Sequence, residues 1–129
     1  MSKAKKITYW VATVWLSLGM VSTGIVQLTG QKEGPGAVDA MMKLGYPMYF
    51  LTIIAVWKLL GVVAILAPRF PVLKEWAYAG FFFAMSGALI SHIAVADPAA
   101  ELFPAGLLLV LTGISWFTRP ADRKLVAAN

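Results

Sequence analysis

A lysine stands in the middle of an apolar segment of this sequence. Lys58 follows Pro47 within a long apolar run, and at about 1.5 Å per helical residue its backbone lies near the centre of a membrane. A charge at that depth costs on the order of 3 kcal/mol and normally faces a bundle interior or a wet cavity. Lys58 is therefore the first candidate for binding or catalysis. The alternatives are a lysine that reaches along a lipid-facing surface, or a buried ion pair that fixes helix register.

The single histidine of the sequence is the second candidate. His92 continues a series of small residues at intervals of four, Gly80, Ala84 and Ala88, a pattern typical of close helix packing in lipid. Histidine exchanges protons near neutral pH, so His92 is either a proton carrier or ligand-binding group, or a hydrogen-bonding residue that only holds two helices together. With one histidine and no cysteine, we predict no metal site.

Further polar residues are predicted at a depth in the membrane similar to that of His92. Gln27 ends a weakly polar stripe on the first apolar segment, and that face is predicted to look inward. The stripe consists of Thr13, Ser17, Met20, Gly24 and Gln27. Asp97 and Glu101 lie in the loop after His92. We predict a constellation of Gln27, His92, Asp97 and Glu101 above Lys58; for the two carboxylates the alternative is a solvated loop.

Aromatic residues offer walls for a ligand pocket. Tyr49 and Trp57 precede Lys58, and Tyr46 and Trp76 lie at the ends of their segments. Together they could enclose an apolar ligand, although an ordinary membrane core uses the same residue types. We include Tyr49 and Trp57 among the predicted ligand-binding residues.

Four apolar stretches must position these side chains. Of the 129 residues, 60% are hydrophobic and 13% charged, which is outside the range of soluble globular domains. Each stretch approaches the ~20 residues that span a bilayer as a helix. We therefore predict an all-α, antiparallel up-down bundle of four transmembrane helices in a single domain covering residues 1–129, with helices at roughly 7–28, 47–66, 76–95 and 102–117.

The charges predict orientation rather than nucleic-acid binding. The net charge is +5, but the basic residues cluster at helix ends without forming a contiguous basic face. By the positive-inside rule, the more basic side is cytoplasmic. We expect both termini in the cytoplasm and the acidic loops outside, in a bacterial inner membrane. The basic residues on the predicted cytoplasmic side are Lys3, Lys5, Lys6, Arg69, Lys74, Arg119, Arg123 and Lys124, against Lys32 and Lys43 opposite.

The stretch from residue 44 to residue 97 closely resembles the DoxX-like family of small bacterial membrane proteins. The resemblance rests on Gly45-Tyr46-Pro47, on the segments 57–61, 68–71 and 73–80, and on Ser91-His92 with Asp97. It implies a four-helix membrane protein. The wider DoxX and DoxD grouping is associated with a membrane subunit of a thiosulfate to quinone oxidoreductase, which implies quinone as a candidate ligand. The sequence carries no flavin or nucleotide motif, so no cofactor can be assigned.

Three functions remain open. The first is a binding protein whose helices enclose a lipophilic, quinone-like molecule, as the membrane part of a redox system, with polar contacts from Lys58 and His92. The second is a membrane enzyme acting on a lipophilic substrate, in which His92 acts as base and Lys58 stabilises negative charge. The third is an assembly subunit that forms a homo-oligomer or joins a membrane complex. The sequence does not decide whether the chain is an enzyme.

Overall fold

The described residues form four helices. The computed structural model describes residues 2–30, 42–43, 45–96 and 99–120, with side chains described throughout these ranges except at 99–101. The helices are α1 (Lys3–Thr29), α2 (Met48–Leu66), α3 (Pro71–Ala94) and α4 (Ala99–Thr118). α1 contacts α2 and α4, and α3 contacts the same two helices, so the four form a closed ring. The predicted four-helix, all-α fold is confirmed.

Three helices are long and apolar enough to cross a membrane, namely α1, α2 and α3, and α4 is apolar but shorter over Leu102–Thr118. Large apolar side chains cover the outside of the ring, including Leu18, Val63, Ile90 and Phe117. Water would make such a surface costly, whereas lipid solvates it. The chain is therefore a membrane protein, and lipid is its first partner.

Three of the helices, α1, α3 and α4, begin earlier than the apolar stretches suggest. α1 starts at Lys3, where the Ser2 hydroxyl accepts a hydrogen bond from the backbone N–H of Lys5 and caps the helix. α3 starts at Pro71, whose fixed φ suits the first helical position. Hydropathy marks the part of a helix that contacts hydrocarbon, whereas backbone hydrogen bonding continues into the interface. The predicted starts at 7 and 76 are late for this reason.

A buried lysine fastens the connection between α2 and α3. Lys74 is buried, and its ammonium donates to the carbonyls of Ala64 (2.9 Å), Arg69 (2.7 Å) and Ala67. The last carbonyls of a helix lack intrahelical partners and carry the negative end of the helix dipole. Lys74 therefore neutralises and caps the end of α2. This cap holds a turn in which Arg69 and Phe70 adopt positive φ angles of 68° and 56°.

Hydroxyl groups join three helices in the half of the bundle near this turn. Ser115 Oγ lies 2.6 Å from Thr13 Oγ1 and 2.8 Å from the Tyr78 hydroxyl, and all three side chains are buried. Buried hydroxyls need partners in a dry interior, and here they supply one another across α1, α3 and α4. Below this cluster, Arg119 pairs with Glu75 at 2.8 Å. We call this end of the bundle, defined by Lys74, Glu75 and Arg119, the basic end.

Candidate functional site

The Lys58 side chain points into the bundle. Its residue is 6% exposed, and its ammonium donates to Thr23 Oγ1 and Gln27 Oε1 on α1, each at 3.1 Å. Thr23 and Gln27 are one helical turn apart, so they share a face and can reach the same ammonium. Lys58 therefore does not extend into lipid, and its partners in the described structure are two neutral oxygens.

No counter-charge accompanies this ammonium in the described structure. Within residues 2–30, 42–43, 45–96 and 99–120, no carboxylate oxygen forms an ion pair with Lys58. An ammonium offers three donors, and the described side chains accept two of its hydrogen bonds. An isolated charge in a low-dielectric interior is costly unless it is paired. The Lys58 ammonium can therefore donate a third hydrogen bond to a further acceptor.

A groove of about 1000 Å³ opens between α2 and α3, and Lys58 forms part of its wall. On α2 it extends from Ile54 to Ala67, about 20 Å of helix at ~1.5 Å per residue. Lys58 lies about one turn from the end at Ile54, near the middle of α2, and the other end of the groove lies at the basic end of the bundle. The remaining wall is almost entirely apolar and includes Trp57, Gly61, Trp76, Gly80 and Phe81.

The groove is held open between two fixed points. At the end opposite the basic end, the Tyr46 hydroxyl lies 2.6 Å from Ser91 Oγ and links the start of α2 to α3. At the basic end, Lys74 of α3 holds the carbonyls that end α2. Between these points α2 and α3 make the sparsest of the four main helix contacts. The gap therefore follows from how the two helices are joined.

Glycines shape the groove in two different ways. A Cβ added at Gly61 would lie 2.6 Å from Phe81 Cε1, so Gly61 lets the Phe81 ring cross to α2. A Cβ at Gly80 would meet no atom within 4 Å. The prediction that the small-residue stripe packs closely is therefore wrong at Gly80, which borders open space. A missing side chain there widens the groove.

The predicted site residues separate into several places. Gln27 and Lys58 meet directly. Trp57 is on the groove wall, whereas Tyr49 is 70% exposed on the outside of α2 and does not line the groove. His92 is buried on α3 and is not part of the groove wall.

Two acidic residues of the predicted constellation cannot be placed in the site. Asp97 lies outside the described residues, and Glu101 belongs to α4 without a described side chain. Among the residues the structure does describe, no group of three or more histidine, cysteine or acidic side chains could hold a metal ion.

Sequence reasoning missed Thr23 and the position of the groove. The stripe drawn along α1 passes through Gly24 rather than Thr23, although Thr23 precedes Gln27 by four residues, the spacing of a shared face. The four-residue spacing between Thr23 and Gln27 was the signal that could have identified Thr23 as a neighbour of Lys58. The groove lies toward the basic end, whereas the predicted constellation lies toward the opposite end. A gap between helices depends on their separation, for which no residue type is diagnostic.

Comparison with family models shows to which protein family the chain is related. The model of the DoxX-like family matches residues 11–114, which include all of α2 and α3 and most of α1 and α4. The chain belongs to the DoxX-like family. Searches of curated proteins and of solved structures found no match. The function of this DoxX-like protein must therefore be inferred from its own site.

Proposed function

We propose that this DoxX-like protein binds a lipophilic small molecule in the groove between α2 and α3, with Lys58 donating a hydrogen bond to its polar head. A quinone-like molecule is one candidate, because its carbonyl is a hydrogen-bond acceptor on an apolar body. The observation that carries the proposal is a buried lysine that belongs to the wall of a largely apolar groove and whose ammonium has two neutral partners in the described structure.

The depth of Lys58 restricts the kind of molecule. The Lys58 backbone lies near the middle of α2, and its ammonium reaches Thr23 and Gln27 in the last third of α1, within the apolar part of the bundle. A phospholipid keeps its head at the interface and would bring only hydrocarbon to Lys58. A molecule whose head can leave the interface, as a quinone ring does, can place an acceptor there. The flexible stem of lysine lets its ammonium follow the head.

The groove also defines the route of entry. Its rim carries exposed aromatic side chains, with Trp57 at 62% and Trp76 at 70% exposure, which face the lipid that surrounds the bundle. We propose that the ligand enters sideways from the bilayer between α2 and α3. Buried His92 lies nearer the other end of α3 and is proposed to serve the site indirectly, as a proton-exchanging group.

The setting of this activity follows from the charge pattern. We propose that the basic end faces the cytoplasm, in a bacterial inner membrane, with both termini on that side. The closed ring of four helices supports a single domain over residues 1–129. Self-association, or association with a catalytic partner that would use the bound molecule in a redox reaction, belongs to the same proposal.

A pair of glycine substitutions tests the groove. Gly80→Leu would place a side chain into it, whereas Gly87→Leu, two turns further along α3, lies outside the groove wall; neither Cβ meets an atom within 4 Å. Each protein is purified from membranes, and the lipophilic compounds that accompany it are extracted and identified by mass spectrometry. We expect wild type and Gly87→Leu to retain the same compound and Gly80→Leu to lose most of it. Equal retention by all three proteins would contradict the proposal.

Lys58→Met separates binding from the other functions. The variant keeps an unbranched side chain and loses the charge. A folded variant that loses the compound supports binding by Lys58. A variant that keeps the compound but no longer assembles would favour an assembly subunit, and one that keeps compound and assembly but loses turnover would favour an enzyme; both outcomes contradict the proposed role.

A further inference from the structure

Three cations are buried in the described part of the chain, and two of them are neutralised by the protein itself. Arg119 pairs with the Glu75 carboxylate, Nη2 to Oε1, at 2.8 Å. Lys74 lies against the carbonyls that end α2, where the helix dipole is negative. Lys58 is equally buried, but its partners are the hydroxyl of Thr23 and the amide oxygen of Gln27.

This difference between the three cations indicates which charge a ligand at Lys58 would carry. Both acceptors of Lys58 are uncharged side chains: Gln27 stands in the last turn of α1, which ends at Thr29, and Thr23 stands one turn before it. In a low-dielectric medium an opposite charge at contact distance stabilises an ammonium far more than a neutral dipole does. Among the described residues, Lys58 belongs to the wall of the groove, which opens to the outside of the bundle.

From these contacts we infer that the groove selects a lipophilic acid, bound as its anion, whose carboxylate or phenolate pairs with Lys58 while its apolar body lies between α2 and α3. This inference rests on the proposed function and narrows it: the head is an anion rather than a neutral carbonyl. The apolar wall, with Trp57 and Phe81 beside Lys58, favours an alkyl or aromatic body over a sugar or a second charge.

Anion pairing also explains why the site tolerates a lysine at this depth. The bound pair has no net charge, so the cost of burying the ammonium falls when the ligand is present. A neutral ligand would leave that cost in place. Specificity then arises from the unpaired charge, because a neutral analogue of the same shape gains the apolar contacts and lacks the ionic one.

Two probes of equal length test the inference. ω-Bromoundecanoate and ω-bromoundecanol differ only in the head, and bromine quenches tryptophan fluorescence on contact, which Trp57 and Trp76 on the groove wall report. The full-length protein in uncharged nanodiscs is titrated with each probe. We expect the acid to bind about tenfold or more tightly than the alcohol, the gain of a charge-assisted contact. Gly80→Leu should lose the quenching by both.

Two variants of Lys58 assign the preference to its charge. Lys58→Met removes charge and hydrogen bond, and Lys58→Gln keeps a hydrogen-bond donor without the charge. Both should bind acid and alcohol alike, whereas Lys58→Arg should keep the preference for the acid. Folding of each variant is verified by its elution as a single species and its helical circular dichroism.

The outcomes separate the two levels of the proposal. Equal affinity of acid and alcohol in wild type, with Gly80→Leu weakening both, would overturn the anion inference and leave the groove as a site for neutral lipophilic molecules such as quinones. Persistence of the acid preference in Lys58→Met would also overturn it. Binding of both probes that Gly80→Leu leaves unchanged would instead overturn the proposed function.

Discussion

Two buried lysines connect α2 to its neighbours, one from α3 and one from α2 itself. Lys74 approaches it from α3 at the basic end and donates to three backbone carbonyls at its C-terminus. Lys58 extends from the middle of α2 and donates to two side chains of α1. The first lysine satisfies groups that α2 cannot satisfy by itself. The second donates to a threonine hydroxyl, which itself donates to the carbonyls of Gly19 and Met20, and to one oxygen of the Gln27 amide.

The difference teaches which buried charge belongs to the fold and which to the site. Removing Lys74 leaves the buried carbonyl of Ala64 and two carbonyls of the α2–α3 turn without their donor, so the protein itself depends on it. Removing Lys58 leaves no opposite charge stranded among the described residues. Replacing a poorly compensated buried charge by an apolar group is often neutral or stabilising. A lysine that the fold does not need is better explained by a ligand.

The largest effect is expected from Lys74→Met. The change removes the ammonium from the carbonyls of Ala64, Ala67 and Arg69, and each buried group left without a partner costs about 1–3 kcal/mol. We expect a loss of roughly 3 kcal/mol or more in the free energy of unfolding, measured by denaturant titration in detergent. Lys6→Met, at an exposed lysine, is the control, and Lys58→Met, which takes the donor from the buried Gln27 oxygen, should lose about 1–2 kcal/mol. Equal destabilisation by Lys74→Met and Lys58→Met would erase the distinction between the two lysines.

A smaller loss of stability is expected from Ser115→Ala in the hydroxyl cluster. The substitution takes one hydrogen-bond partner from each of Thr13 and Tyr78, at a cost of about 1–3 kcal/mol for the two lost bonds. Ser86→Ala, whose hydroxyl bonds only to the Phe83 carbonyl of its own helix, should change stability by less than about 0.5 kcal/mol. Because the cluster does not line the groove, retention of the co-purified compound should be unchanged. Loss of that compound would show that the polar groups of the basic half also serve the ligand.

The sequence predicted the helices better than the site, for a physical reason. Hydropathy and length are properties of each segment alone, so α2 was placed within one residue of its observed bounds. The depth of Lys58 also follows from counting residues. Its direction does not, because a helix carries a lysine equally well on either face until a neighbour supplies oxygens. Gln27 was foreseen as a neighbour from the polar stripe on α1, whereas the gap beside Gly80 depends on how far α2 and α3 stand apart.

A third and more local effect is expected from Gly61→Ala. The new Cβ would lie 2.6 Å from Phe81 Cε1, so the aromatic ring must move along the groove wall, at a cost of about 1–2 kcal/mol for overpacking. The displaced ring should narrow the groove and lower the amount of co-purified compound measured by mass spectrometry. Gly87→Ala, where a Cβ meets no atom within 4 Å, should leave both stability and compound unchanged. Unchanged retention in Gly61→Ala would place the ligand away from Phe81.

The smallest effect, and the most specific, is expected from Thr23→Val. The substitution keeps the shape of the side chain and removes one of the two described acceptors of Lys58. It also removes the bond from the Thr23 hydroxyl to the Gly19 carbonyl, a loss that Thr29→Val reproduces through its bond to Ile25 without touching the lysine.

If Lys58 were only a structural link between α1 and α2, losing this acceptor would weaken the protein and nothing else. If its ammonium is held ready for an acid, the ligand-free state loses one of the ammonium's hydrogen bonds to a neutral oxygen, while the bound state keeps its ion pair. The acid probe should then bind a few-fold more tightly to Thr23→Val than to wild type or Thr29→Val, by tryptophan quenching. Weaker binding would mean that Thr23 helps to hold the ligand, and the two lysines would then differ less than their contacts suggest.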